Sequence, residues 1–142
     1  MATFNKFEQF VTDVAAGVHA SALNADTDTL KVYLSNATPS ASLDSIKTDL
    51  AEITIVNGYT GPEDVANAAS KTSGTITVAG TDVIITASGG TVGPFRYVVL
   101  YNDTPSSPVD PLIGWWDYGS EITLLAGESF TVDFGASIFT IS

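Results

Sequence analysis

Apolar positions in the first twenty residues recur at three- and four-residue steps. Phe4, Phe7, Val11, Val14 and Val18 fall in phase, with Phe10 beside them. This spacing predicts an amphipathic helix within residues 1–20, with Thr3 as a cap and Glu8, Gln9 and Asp13 on the opposite face. The segment either packs on its own domain or serves as an arm that docks on another subunit. A polar stretch, SALNADTDT, ends the periodicity.

From Leu30 the period changes to two. Leu30, Val32 and Leu34 alternate with Lys31 and Tyr33, as in a strand with one buried face. Leu43, Ile46, Leu50 and Ile53 then return to a helical spacing and predict one further short helix near 43–53. VNGYTGPED breaks the chain with glycines and a proline.

Beyond Ser73 the pattern is that of antiparallel sheet. GTITVA and TDVIITA read as a hairpin joined at Ala79-Gly80. FRYVVLYND is apolar on both faces, as a central strand is. Strict alternation groups Phe95, Tyr97, Val99 and Tyr101 on one face, with Arg96, Val98 and Leu100 on the other. DTPSSPVDP is a proline-rich loop. LIGWWDY, EITLLA, SFTVDF and SIFTIS complete the set, with turns at Tyr118-Gly119-Ser120, Ala126-Gly127-Glu128 and Gly135-Ala136. The fold expected is mainly β: a jelly-roll-like antiparallel β-sandwich over 29–142, with the helical insertion, in a single domain of 1–142. A different Greek-key sandwich is the competing arrangement.

Composition narrows the function. The chain has 142 residues and a formal net charge of −11, with 16 acids against 5 Lys and Arg. Such a surface repels phosphate backbones and anionic lipid, so neither nucleic acid nor membrane is an expected partner. With 0 cysteines there is no disulfide, thiolate nucleophile or thiolate metal site. No run approaches the roughly 20 apolar residues of a membrane span. MATFNKFEQF has an early acid and no apolar core, so no secretory signal is expected.

Candidate chemistry is thin. His19 is the only histidine, so among many Ser and Thr only this side chain could be the histidine base of a triad, and it stands where a polar helix-end residue belongs. Asp117 with Glu121, and Glu63 with Asp64, are carboxylate pairs in predicted turns, where acids are common anyway. Asn24, Asp26 and Asp28 alternate like the opening of a calcium loop. The required glycine is replaced by Thr29, and Ser35 stands where the closing glutamate belongs. A polar turn is the competing reading, and no cofactor is expected. Arg96 pairs either with Asp117 or Asp133 in the core, or across a subunit contact.

Trp115 and Trp116 are the strongest feature. Neighbours on a strand face opposite ways, so one points into the sandwich and the other outward. Alternation puts Ile113 beside Trp115 and Leu112 beside Trp116. With Tyr118, Tyr97 and Tyr101 nearby, the outward ring is open to three roles: a second core under the N-terminal helix, a protein interface, or a sugar platform.

The order of segments FNKFEQFVTDVAAGVH, DTLKVYLSNATP, GGTVGPFRYVVLYND and LIGWWDYGSEITLLAGESFTVDF resembles a family of small structural proteins encoded by tailed bacteriophages. The resemblance runs over nearly the whole chain, most strongly from Gly89 to Phe134 and at the N-terminus, and least from Ala51 to Thr81. It implies a virion component without an active site, an accessory protein that decorates or cements the capsid. Its implied partner is the major capsid protein, its implied form a homotrimer at local threefold points, and its place the outer surface of the virion after synthesis in the host cytoplasm. The family offers no motif to transfer residue by residue. The interface candidates therefore come from the physical reading alone: Phe4, Phe7, Phe10, Trp115, Trp116, Tyr118 and Arg96.

Overall fold

The computed structural model describes residues 2–19 and 28–142. Strand β1 (Phe4–Lys6) leads into helix α1 (Glu8–Ala15), and β2 (Leu30–Ser35) follows. A 3-10 turn (Lys47–Asp49) precedes β3 (Glu63–Asp64), β4 (Ala68–Thr72), β5 (Thr75–Ala79) and β6 (Val83–Thr86). Two long strands, β7 (Val92–Asn102) and β8 (Leu112–Leu124), are succeeded by β9 (Ser129–Val132) and β10 (Phe139–Ile141).

The strands make an antiparallel β-sandwich. One layer is a sheet in the order β1-β8-β7-β2-β3; the other consists of β10-β5-β4 and the pair β6-β9. Between them lies a core built from Val32, Leu34, Val98, Leu100 and Trp116 on one side and Val78, Ile85, Val132 and Phe139 on the other. The first sheet also buries its outer face. Tyr33, Tyr97, Val99, Tyr101 and Leu112 pack there with Phe7 and Leu50, and Ala37 and Trp115 close the cluster. A central sheet covered on both faces explains why FRYVVLYND is apolar throughout.

The N-terminus departs from the predicted helix. Residues 4–6 are an edge strand on β8, and Phe7, not Thr3, stands at the N-cap of α1. The later start changes which residues face inward. Phe10 and Asp13 are buried, whereas Val11 is 52% exposed. Pairing with β8 takes the first residues out of helical phase, so the three phenylalanines do not form one stripe. The helix closes with a Schellman motif: Val18 N–H donates to Asp13 O at 2.9 Å, and Gly17 N–H to Val14 O at 3.2 Å. Gly17 takes the left-handed conformation this closure needs, with φ +81°.

The predicted helix near 43–53 is absent apart from the 3-10 turn, and Leu43 is 80% exposed. Its backbone groups are engaged elsewhere. Ser45 and Ile46 N–H donate to Asp49 Oδ2, Ser40 N–H donates to Asp44 Oδ2, and Ser45 O accepts from Leu112 N–H. Side-chain acceptors and the sheet edge thus compete with an i to i+4 ladder.

The hairpin expected at Ala79-Gly80 is also elsewhere. β5 pairs with β4 and β10, while β6 pairs with β9. The tight turn is Ser73-Gly74, with φ of +48° and +80°, the positive values a two-residue hairpin turn requires.

Candidate functional site

Two of the three register shifts in the β7–β8 hairpin decide where its aromatics point. Leu100 pairs with Gly114 and Tyr101 with Leu112, which leaves Ile113 as an extra residue. This bulge reverses the phase read from strict alternation. Trp116 shares the sandwich core with Ile113, and Trp115 shares the outer cluster with Leu112. The second irregularity lies where Phe95 pairs with Ile122 and Tyr97 with Asp117, so Arg96 alone stands against Tyr118–Glu121. The glycine there, Gly119 at φ +86°, marks a bulge inside one continuous strand rather than a turn. Phe95 accordingly joins Val98 and Leu100 in the sandwich core, not Tyr97 and Val99 on the outer face.

The paired tryptophans therefore occupy opposite faces, as strand geometry demands. Trp116 is 7% exposed and sits between Phe4 at 5.0 Å and Phe134 at 5.5 Å, measured between ring centroids. Trp115 is half-buried and has one side against Phe7 at 4.6 Å. The outer cluster is covered by Phe7 and the segment around Ala37 and Leu50, not by the body of α1. Phe10 turns the other way, edge-on to Phe139 at 5.5 Å and to His19 at 5.1 Å. Of the interface candidates, Phe4, Phe7, Phe10 and Trp116 are spent on the protein's own packing.

Tyr118 and Arg96 lie at the surface end of the hairpin. Tyr118 is half-buried against Phe130, with centroids 5.0 Å apart. Arg96 grips Asp117 with two hydrogen bonds, Nε to Oδ1 at 2.8 Å and Nη2 to Oδ2 at 3.0 Å. The pair is partly solvent-exposed, not in the core, and Asp133 is not its partner. The guanidinium, together with the donated Gly119 N–H, holds the Asp117 carboxyl below the usual carboxylate range. Tyr118, Asp117, Gly119 and Ala2 line a shallow hollow of about 410 Å³, and Thr131 and Asp133 line a second beside it.

The carboxylate pairs are occupied by local structure. Asp117 holds Arg96, and Glu121 accepts from Asn36 Nδ2 at 2.8 Å. Glu63 accepts from Thr60 Oγ1, and Asp64 from Ala66 N–H, on the short strand β3 rather than in a turn.

Asn24 and Asp26 of the calcium-like alternation lie outside the described residues. Asp28 is buried, and its Oδ2 accepts from Asn102 Nδ2 at 2.7 Å. Among the described residues, no group of three His, Asp or Glu side chains is arranged to hold a metal ion.

A buried polar cluster remains, one that no pattern in the sequence announces. His19 (1% exposed), Asp13 (3%), Asn102 (0%) and Asp28 (8%) meet where the end of α1 reaches the ends of β2 and β7. Asn102 Nδ2 lies 3.2 Å from His19 Nδ1, and His19 Nε2 lies 4.0 Å from Asp13 Oδ2. Asp13 Oδ1 accepts from Gln9 Nε2 at 2.9 Å. Burial pushes the His19 imidazole below its ordinary value of 6.5, against the opposing pull of Asp13 and Asp28. Asp13 reads as a solvent-facing helix residue and Asn102 as a strand-end turn residue, and only the fold brings them together.

No family model, no curated protein and no solved structure matches this chain. Among the described residues, no helix is long and apolar enough to cross a membrane.

Proposed function

We propose that the chain is a structural protein of a tailed-bacteriophage virion, an accessory decoration protein that binds the lattice of the major capsid protein and stabilises the head. The resemblance of its segments to such proteins motivates the reading. The observation that carries it furthest is the use of the aromatics. Phe4, Phe7, Phe10 and Trp116 pack on the two faces of one sheet, so these aromatics serve the domain's own packing rather than a ligand platform, in a chain of net charge −11. A module of this kind acts by mass action: it binds the assembled lattice and raises the cost of taking it apart. As a homotrimer on the outer surface it engages several capsid subunits at once, so each contact need only be weak.

The test is to add purified protein to expanded capsids that lack it. Saturable binding at a fixed ratio to capsid subunits, with a raised shell melting temperature, is the expected outcome. Absence of binding, together with localisation to the tail, overturns the reading.

A second reading is a tail- or fibre-associated module for host surface glycan, favoured by the hollow in which Tyr118 lies beside Asp117. Trp116 is too deeply buried to stack a sugar. A glycan array comparing wild type with Tyr118→Ala separates the two readings: a specific signal lost in the variant favours glycan, and a blank wild-type array removes it.

A further inference from the structure

The buried polar cluster has a hydrogen-bond order that fixes the protonation state of its histidine. Thr104 N–H donates to Asn102 Oδ1 at 3.1 Å, so the Asn102 amide nitrogen must face Asp28 and His19. That nitrogen has two hydrogens: one goes to Asp28 Oδ2, the other to His19 Nδ1. Nδ1 is therefore an acceptor, and the proton of the neutral ring is on Nε2, on the side of Asp13 Oδ2. Neither Nε2 nor Asp13 Oδ2 has a hydrogen-bond partner among the described residues.

A second proton has only Nδ1 to occupy, where it would meet the Asn102 amide hydrogen, donor against donor. The amide cannot turn to relieve this without abandoning both the Thr104 N–H and the Asp28 carboxylate. Among the described residues, the titratable groups that face the ring are Asp13 from α1 and Asp28 from the segment before β2. Both favour a charged ring, but neither gains a bond from it. Asp13 faces the nitrogen that already has its proton, and Asp28 lies beyond Asn102.

We propose that Asp13, His19, Asn102 and Asp28 form an acid-sensitive latch, which fastens the C-terminal end of α1 to the ends of β2 and β7 while the imidazole is neutral and releases it when the imidazole is protonated. The burial effect on the ring acts in the same direction. With the folded value below 6.5, the latch is fully made above the unfolded value and weakens as the pH falls through it. Each unit of displacement multiplies the local opening constant by about tenfold. Since Phe7 and β1 fasten the other end of the helix, release is local rather than global.

His19 is the only histidine, so its imidazole signals in nitrogen-detected NMR need no assignment. The expected result is a ring protonated on Nε2 at about pH 7.5 that titrates below the ordinary histidine value. Amide exchange at residues 14–19 and 102–104, corrected for its intrinsic pH dependence, should accelerate over the same range. A ring protonated on Nδ1, a midpoint at or above the ordinary value, or exchange indifferent to the titration each overturns the proposal. His19→Gln should abolish the acid-dependent acceleration, and its persistence would count against the latch. If that variant does not fold, the wild-type titration and exchange still decide.

Discussion

The ring of Phe4 lies over Gly114, on the face of the first sheet that Trp116 shares, and a β-carbon on Gly114 would run into it. The glycine is there for space: Gly114 is buried and has no positive φ. Gly114→Ala should therefore displace β1 and cost about 1–3 kcal/mol, the range for overpacking a tight site. Phe4→Ala should recover part of that cost in the double variant. Only part is expected, because the Asn5 carbonyl also crowds the position. Urea titration of the four proteins of the cycle checks this, and a neutral Gly114→Ala would show that the contact does not constrain the edge strand.

The two tryptophans should differ in what their removal costs. Trp116→Ala empties a site between Phe4 and Phe134 inside the sandwich, a loss of about 3–5 kcal/mol. Trp115→Ala removes a half-buried ring with one packed side, so its loss should be clearly smaller. Denaturation midpoints at unchanged slope measure both. Equal losses would mean that the outer cluster is as closed as the inner core.

Gly74 and Gly80 show how far the sequence could be read. The β character, the central strand and the opposed tryptophans were all legible, because period-two patterning follows directly from strand geometry. Which glycine makes a hairpin was not, since a glycine that turns the chain and one that admits a neighbour look alike in sequence. Gly74 has φ +80° and open space around it, so Gly74→Ala should cost about 1–2 kcal/mol through backbone strain alone. At Gly80 an added β-carbon would lie 2.7 Å from Ile138 Cδ1 and 3.1 Å from Val65 O. Its cost is steric and should fall in an Ile138→Val background, whereas that of Gly74→Ala should not. Thermal unfolding of the singles and doubles tells them apart. The bulge at Ile113 escaped the sequence for a similar reason: one extra residue flips a whole face, and no residue type announces it. The His19 cluster was illegible because Asp13, Asp28 and Asn102 converge only through long-range pairing.

Tyr59 completes the ladder where β3 runs out. β3 pairs with β2 only at Lys31 and Val32; at Leu34 the carbonyl on that side accepts from Ile53 N–H at 3.0 Å, while the N–H has no backbone acceptor among the described residues. The Tyr59 hydroxyl supplies one: it accepts from Leu34 N–H at 3.1 Å and donates to Glu52 Oε1 at 2.7 Å. Glu52 is fixed in turn by Lys47, with Nζ 2.9 Å from Oε2. Burial and the Glu52 carboxylate push the phenol's pKa well up, so it stays a neutral donor throughout the ordinary pH range. Tyr59→Phe keeps the ring but leaves the buried Leu34 N–H without its acceptor and Glu52 Oε1 without the hydroxyl donor. The expected loss is about 1–3 kcal/mol, the cost of an unsatisfied buried group rather than of one exchanged hydrogen bond. Exchange of the Leu34 amide should accelerate more than that of Tyr33 or Ser35, since its bond alone is removed. A loss of stability without selective exposure of Leu34 would place the role of Tyr59 in packing rather than in the ladder.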